Sequence, residues 1–178
     1  MIAVPEITFA AMENWGLVIS HEKVMFYYEG DTDARFKEIV AFVTSHEIAH
    51  KWFGNLATLA WWDDTWLNEG FASFMQNMAV DFVHPEWNYF DAFAKSFLHP
   101  VFSPDSKKSS RPVYAPVNKP YEIQAMFEMI TYYKGACIIR MMEHFLGKET
   151  FRSGLQEYII GNAYRVVTHD DLWAYLTE

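Results

Sequence analysis

The segment VTSHEIAHKWFGN at positions 43–55 carries two histidines and a glutamate, in the order His46, Glu47, His50. His46 and His50 are four residues apart, so an α-helix places both imidazoles on one face, about one turn apart. Two imidazoles at that spacing can share one metal ion, with Zn–N distances of about 2.0–2.1 Å. Glu47 is rotated to the side, where it can reach a metal-bound water without being a ligand itself. Taken alone, the pattern also fits a charged, partly exposed helix.

A third candidate ligand, Glu69, is separated from His50 by eighteen residues and lies in the stretch WLNEGFA. A catalytic zinc site takes three protein ligands and leaves the fourth position open for water. Two packed antiparallel helices joined by a short connector can bring Glu69 opposite the histidine pair. Asn68 and Gly70 fit a helix turn whose backbone approaches the site closely. Alone, Glu69 also fits a surface glutamate near a helix start, but beside the histidine pair the ligand role is favoured.

The apolar periodicity predicts an α+β fold in which a few N-terminal strands precede a mostly helical body. Residues 1–29 carry β-branched and aromatic residues at strand-like spacing. Apolar positions then recur at helical intervals from Ala34 to Phe53. Residues 100–120 are rich in proline, serine and lysine, and they are predicted to form a long loop. Further helices are predicted over about 65–83, from Pro85 to Leu98, over about 121–145 with a break near Ile130, over about 148–160, and from Thr168 onward.

Composition restricts the classes of function that the chain can serve. The net charge of −9 argues against a nucleic-acid partner, because phosphate binding needs a basic surface. An acidic protein better suits a divalent cation or a substrate that bears an ammonium group. Cys137 is the single cysteine, so neither an internal disulfide nor a cysteine-based zinc site is expected. No signal peptide or membrane span is predicted, and the length suits one domain.

Several motifs in one order resemble the gluzincin aminopeptidases, the zinc metallopeptidase family that includes aminopeptidase N. HEIAHKWFGN and WLNEGFA, with eighteen residues between His50 and Glu69, match the family's metal-binding signature. AAMENWG at 10–16 resembles its exopeptidase motif, usually Gly-Ala-Met-Glu-Asn. FEMITYYKGACIIRMM at 127–142 resembles the segment with the catalytic tyrosine, and its register selects Tyr132, because Lys134-Gly135 follow after one residue. SRPVYAPV and AYRVVTHDDLW also match, so the resemblance covers essentially the whole chain.

The resemblance implies a thermolysin-like zinc metallopeptidase catalytic domain over residues 1–178, which hydrolyses the N-terminal residue from peptides. Glu47 would act as the general base, taking a proton from water and later delivering it to the leaving amine. Tyr132 would donate its phenol O–H to the oxyanion of the tetrahedral intermediate. One Zn²⁺ per chain would be held by three ligands: His46, His50 and Glu69.

The resemblance also implies that Glu13 binds the free α-ammonium group of the substrate through a charge-assisted hydrogen bond. This contact would set the distance from the amino terminus to the metal and so make the enzyme an exopeptidase. The backbone of the same segment can pair with the substrate by strand addition. Without the resemblance, Glu13 also fits a turn carboxylate, and Tyr132 a core tyrosine. The other residues of the expected substrate-binding segment are Ala10, Ala11, Met12 and Asn14.

The chain departs from the family pattern at three residues and in length. Ala10 stands where glycine is usual, and its methyl group narrows the backbone choices beside the substrate. Phe9 is bulkier than usual and is expected to reshape the pocket for the first side chain. Lys51 replaces a common glutamine, which is expected to matter little. Family members are several-fold longer, so a β-rich domain before this segment and a helical domain after it are expected to be missing here.

Two other functions stay open at this point. One is a binding or structural relative that has lost turnover through truncation, which weak zinc retention would favour. The other is a zinc hydrolase of a non-peptide substrate, which indifference to N-acetylation would favour. Trp61 and Trp62 are predicted to be core residues, and Asp64 is a candidate support for a metal ligand. Five histidines match no ligand spacing and are interpreted as surface or packing residues: His21, His84, His99, His144 and His169.

Overall fold

The computed structural model describes residues 1–177 and shows a mostly helical chain with a few short strands, as predicted for the α+β class. Among the described helices, none combines the length and the apolar character needed to cross a lipid bilayer. The strands are β1 (Ile2–Val4), β2 (Ala11–Met12), β3 (Ile19–His21), β4 (Ala57–Leu59) and β5 (Arg165–Val167). The α-helices are α1 (Ala34–Ala49), α2 (Trp66–Val83), α3 (His99–Asp105), α4 (Pro120–Met126), α5 (Gly135–Leu146), α6 (Lys148–Gly161) and α7 (His169–Leu176).

The described strands form two small sheets. In the first, β3 is central: it pairs in parallel with β1 and antiparallel with β2, where Ala11 lies opposite Ser20. In the second, β4 and β5 pair in parallel, with Ala57 opposite Arg165. The pairing of β4 with β5 brings together segments that are more than a hundred residues apart in the chain. Sequence periodicity missed this pair, because neither three-residue strand is long enough to show alternation.

The hydrophobic core is built around α2, which packs against α1 and α5. Trp66, Phe71 and Phe74 of α2 are almost completely buried, as are Ile139 of α5 and Leu172 of α7. Aromatic side chains that pack edge to face or offset stabilise the core by more than the burial of their apolar area alone. Because α2 is packed between α1 and α5, the residues at its N-terminal end are held in place relative to both helices.

Helix α1 ends at Ala49, not at Phe53 as predicted, because the chain leaves the helix through a tight turn. The Asn55 N–H donates to the His50 carbonyl at 3.0 Å. Gly54 adopts a φ of 131°, which side chains other than hydrogen rarely allow. A Cβ at Gly54 would also lie 3.2 Å from His50 Nδ1. The glycine therefore lets the backbone pass close to an imidazole at the end of α1.

The prediction of a helix from Pro85 to Leu98 is wrong over the first half of this range. A single 3₁₀ turn covers Pro85–Trp87, and Asn88 then takes a left-handed conformation with φ of 52°. That conformation ends the turn, since it does not continue a right-handed helix. Helical structure resumes as a π-helical turn over Ala94–Leu98 and continues into α3, inside the segment predicted to be a loop. Pro100 is tolerated in α3 because the first helical turn needs no backbone N–H.

We predict that Phe74→Ala lowers the free energy of unfolding by about 3–5 kcal/mol, because it empties a buried site between Phe90 and Phe151. Phe82, on the same helix, is 87% exposed, so Phe82→Ala should change stability by less than about 0.5 kcal/mol. Urea titration followed by circular dichroism measures both values. Equal losses for the two variants would contradict the assignment of α2 as the core helix.

Candidate functional site

Two histidines of α1 and one glutamate of α2 converge on a single point. His46 Nε2 lies 3.1 Å from Glu69 Oε2, and His50 Nε2 lies 3.3 Å from the same oxygen. The two Nε2 atoms are 3.0 Å apart. Helical spacing aligns the histidines, and the packing of α1 on α2 brings Glu69 from the first turn of α2 to meet them. The structure therefore assembles the three residues that the sequence singled out as a ligand set.

The outer nitrogen of each imidazole is already engaged, which determines what the inner nitrogens offer. His50 Nδ1 lies 2.9 Å from the Phe53 carbonyl oxygen, which can only accept, so Nδ1 carries the proton. His46 Nδ1 lies 2.8 Å from Gln76 Oε1 in the same kind of contact. In the neutral imidazoles both Nε2 lone pairs then point toward the Glu69 carboxylate. Three electron-pair donors at such close range repel one another unless a cation lies among them.

This donor set fits a divalent metal ion. Two imidazole nitrogens and one carboxylate oxygen are a ligand combination of catalytic zinc sites, which keep a further position open. Hydrogen bonds donated by the outer imidazole N–H groups orient such ligands and make them more basic. Sequence analysis missed both outer partners of the histidines. Gln76 is seven residues from Glu69, two helical turns along the same face, and that spacing is the pattern that could have identified it.

The electrostatic environment of His46, His50 and Glu69 favours a positive charge among these three residues. Burial alone would raise the pKa of Glu69, but its close contacts with the His46 and His50 imidazoles outweigh burial and lower that pKa. Burial alone would lower the pKa of His50, but the carboxylates of Glu69 and Glu13 raise it above its usual value. A buried carboxylate therefore stays ionised and stabilises a cation beside it.

Glu47 lies on α1 between the two histidines and faces the same cleft. Its side chain is buried, and its Oε2 atom has no hydrogen-bond partner among the described residues. Burial raises the pKa of Glu47 above its usual range, although the two histidines oppose this shift. A buried carboxylate oxygen without a partner is costly unless a ligand or water occupies it. Its raised pKa suits a group that takes and returns a proton near neutral pH.

A cleft of about 1420 Å³ opens above these residues. Its wall includes the substrate-binding segment predicted at positions 10–13, whereas Asn14 is not among its lining residues. Glu13 Oε1 lies 3.9 Å from His50 Nδ1, so a third carboxylate stands beside the histidine pair. Phe9 also lines this wall and is half exposed, as expected for a residue that shapes a pocket. The cleft is therefore acidic at its floor and apolar along part of its wall.

Tyr132 lies on a π-helical turn over Ile130–Lys134, where the sequence predicted a break in the helix. Its ring stacks on His46, with centroids 6.0 Å apart and planes at 20°. Burial, and then the charge of Glu69, raise the pKa of Tyr132, so the phenol keeps its proton and can donate it in a hydrogen bond. The neighbouring Tyr133 packs its ring 4.8 Å from that of Phe97. Of the two adjacent tyrosines, Tyr132 is the one beside the histidines.

Direct backbone contact between two helices sets the distance from Glu69 to Tyr132. A Cβ added at Gly70 would lie 3.2 Å from the Gly135 backbone, and a Cβ at Gly135 would lie 3.2 Å from Gly70 Cα. Each glycine is close in the chain to a residue of the site, Glu69 in one case and Tyr132 in the other. A methyl group at either position would require the facing backbone to shift by a few tenths of an ångström.

Arg111 supports the turn that carries Tyr132, which the sequence did not reveal. Its Nη2 donates to Thr131 Oγ1 at 2.7 Å and to the Met126 carbonyl at 3.2 Å. Its Nε donates to Glu128 Oε1 at 2.8 Å. Thr131 is completely buried, so the guanidinium joins the preceding loop to a core side chain next to Tyr132.

Two predictions near the site are corrected. Trp61 and Trp62 line the cleft and do not belong to the core, and Trp61 is 53% exposed, with its Nε1 donating to the Val117 carbonyl. Asp64 is not placed to support a metal ligand. Its carboxylate instead lies 2.9 Å from His169 Nδ1 and accepts from Trp66 Nε1 at 3.2 Å, which joins α7 to the start of α2.

Comparison with protein families matches residues 1–178 to the peptidase family M1 domain. Aminopeptidase N of Bos taurus is 43% identical over 178 residues, which cover 98% of this chain and 18% of the relative. Endoplasmic reticulum aminopeptidase 2 of Homo sapiens is 42% identical, covering 100% of this chain and 18% of the relative. Leucyl aminopeptidase of Saccharolobus solfataricus is 41% identical, covering 100% and 22%. The chain thus spans only 18–22% of the length of these relatives.

We predict that Gly135→Ala lowers the free energy of unfolding by about 1–3 kcal/mol, because the new methyl group meets the Gly70 backbone. The loss should appear even though alanine favours a helix over glycine by about 1 kcal/mol. Met141→Ala, at an exposed position of the same helix, is the control and should be nearly neutral. A thermal or urea unfolding series measures all three proteins. Stabilisation by Gly135→Ala would contradict the backbone contact.

Proposed function

The chain belongs to peptidase family M1, and from that premise we propose that it is the zinc-binding catalytic domain of an aminopeptidase, with a thermolysin-like fold. One observation carries the proposal: two imidazole nitrogens and a carboxylate oxygen meet within 3.0–3.3 Å on the floor of a cleft. That cleft also holds an unpartnered Glu47 and the Glu13 carboxylate. Residues 1–178 would form a single, partial domain of a longer enzyme. Its substrates would be peptides with a free N-terminus.

His46, His50 and Glu69 would hold one Zn²⁺. When bound, the ion supplies Lewis acidity, which polarises a carbonyl group and lowers the pKa of a coordinated water to about 7. Gln76 and the Phe53 carbonyl keep the two imidazoles in the orientation and tautomer that binding requires. The ligand set brings one negative charge, so it would leave a net positive charge at the site.

Glu47 would act as general base and then as general acid. Glu47 lines the cleft, and its carboxylate would take a proton from the attacking water and then deliver that proton to the nitrogen of the departing amine. Burial supports this role by raising the pKa of the carboxyl group toward the working pH. Proton uptake and release by one residue leaves the enzyme unchanged after each cycle.

Tyr132 would stabilise the oxyanion that develops when water adds to the scissile carbonyl. Its phenol stays protonated, and its ring is held against His46, so the O–H is available as a donor before the substrate arrives. A donor that is already oriented stabilises developing charge without a further cost of reorganisation. The Arg111 contacts and the glycine pair described above support this orientation.

Glu13 would bind the α-ammonium group of the peptide. Its carboxylate lies beside His50, so an ammonium group that pairs with it is held close to the metal ligands. The backbone of Ala10, Ala11 and Met12 lines the same wall and would pair with an extended substrate. Asn14 would then act by shaping this segment, since it does not line the cleft.

We predict that the zinc-loaded protein hydrolyses alanyl-coumarin amide and leaves its N-acetylated form intact. Glu47→Gln should lower kcat by about 10²–10⁴-fold, because it removes the proton acceptor. Glu157→Gln, the same change at an exposed position of α6, is the matched control and should keep full activity. Fluorescence release measures the rates, and atomic absorption measures the zinc content of each variant.

The same assay separates the other two functions. Hydrolysis of both the free and the acetylated substrate would indicate a zinc hydrolase that does not require a free amine. A low zinc content together with no hydrolysis above the Glu47→Gln background would indicate a binding or structural relative that has lost turnover. Either result would contradict the proposed aminopeptidase activity.

We predict that Gln76→Leu weakens zinc binding by about 10–100-fold, because His46 loses the acceptor that orients its imidazole. Gln156→Leu, at an exposed position of α6, is the control and should bind zinc as the unchanged protein does. Competition with a chromophoric chelator measures both affinities. Equal affinities for Gln76→Leu and the unchanged protein would exclude Gln76 as a support for the ligand.

A further inference from the structure

Lys51 makes more specific contacts than its replacement of a common glutamine suggested. It follows His50 directly, and its side chain is half-buried. Its Nζ donates to the Glu13 carbonyl oxygen at 2.6 Å and to the Asn14 carbonyl oxygen at 3.2 Å. A lysine with its ammonium group on two main-chain oxygens is restrained, unlike a lysine that extends into water. The charge makes both hydrogen bonds stronger than neutral ones.

Asn55 reaches the same carbonyl from the other end of the turn. Its Nδ2 donates to the Glu13 oxygen at 2.9 Å, so that one oxygen accepts two hydrogen bonds from side chains. The turn that presents both donors is itself restrained, since the Lys51 N–H donates to the Ile48 carbonyl and the Asn55 N–H to the His50 carbonyl. The two donors therefore move with the end of α1.

The main chain after β2 has one further backbone hydrogen bond among the described residues, from the Leu17 N–H to the Asn14 carbonyl at 2.9 Å, and no such bond reaches the Glu13 carbonyl. Strand β2 is two residues long and pairs only with β3 among the described strands, and it ends at Met12, before Glu13. Glu13 thus lies beyond the last paired residue of the strand. The position of its carboxylate, 3.9 Å from His50 Nδ1, depends on what holds the backbone at Glu13 and Asn14.

From these contacts we propose that Lys51, assisted by Asn55, is a positioning residue for Glu13. It ties the main chain of the amine-binding segment to the helix that carries the metal ligands, and so sets the distance from the Glu13 carboxylate to the metal centre. The inference rests on the proposed function, because it concerns how a free N-terminus is selected. Selectivity for the amine would then depend on a residue that does not touch the substrate amine itself.

A pair of zinc-binding probes tests this without turnover. Leucine hydroxamate carries a free amine, and 4-methylpentanoyl hydroxamate is the same molecule without it. Both bind zinc through the hydroxamate group. The dissociation constant of the amine-free probe divided by that of leucine hydroxamate is the amine ratio, which reports how much the amine contributes to binding. Calorimetric titration of the zinc-loaded protein measures this ratio. Four proteins are compared with the unchanged one: Lys51→Met, Glu13→Ala, the double variant, and Lys108→Met as an exposed control.

We expect Lys51→Met to reduce the ratio by about tenfold or more while the zinc content stays the same, because a small displacement of a binding group is costly. The double variant should match Glu13→Ala, because Lys51 acts only through Glu13. Lys108→Met should keep the full ratio. Asn55→Asp removes the second donor with almost no change of volume and should also lower the ratio, which provides a test if Lys51→Met does not fold.

The outcomes separate this inference from the proposed function. A ratio near one in the unchanged protein would mean that no amine is selected, and both proposals would fail. A high ratio that Glu13→Ala abolishes and Lys51→Met preserves would overturn the positioning role alone. Additive losses in the double variant would also overturn it, since they would show that Lys51 acts independently of Glu13.

Discussion

The burial of the Glu69 carboxylate between two imidazoles is the interaction on which the rest of the site depends. An ionised carboxylate is costly to remove from water unless partners compensate for the lost hydration. Here the partners come from α1 and the carboxylate from α2, so the compensation exists only while the two helices stay packed. The same packing buries Glu47 and leaves one of its oxygens without a partner. The site therefore exists only when α1 and α2 are packed against each other.

Helix α2 passes this geometry to the other parts of the cleft. Its face toward α5 meets that helix at a pair of glycines, which places Tyr132 at a defined distance from Glu69. The turn after α1 holds the main chain at Glu13 through two side chains. Two segments that are distant in sequence, one around Glu13 and one around Tyr132, are thus each tied to the α1–α2 pair. Groups held this way can be oriented before a substrate binds, which lowers the cost of reorganisation.

Prediction from the sequence succeeded where the relevant spacing is local. The histidine pair follows from helical geometry, α2 from its apolar periodicity, and the break near Ile130 is confirmed as a π-helical turn. Prediction failed where structure depends on distant partners. The region from Pro85 to Leu98 has helical periodicity, yet Asn88 turns the chain out of a helix early. Trp61 and Trp62 look like core residues by composition, but they line a cleft whose opposite wall comes from other segments.

The sequence by itself determined the types and order of the candidate ligands and the face of α1 on which the histidines lie, because these depend on covalent spacing and a 3.6-residue helical period. Only the tertiary structure decided that Glu69 reaches both imidazoles, that the Tyr132 ring stacks on His46, and that Lys51 donates to the main chain at Glu13. The reason is that distances between elements arise from how side chains and glycines pack, which is not encoded in any local window of residues.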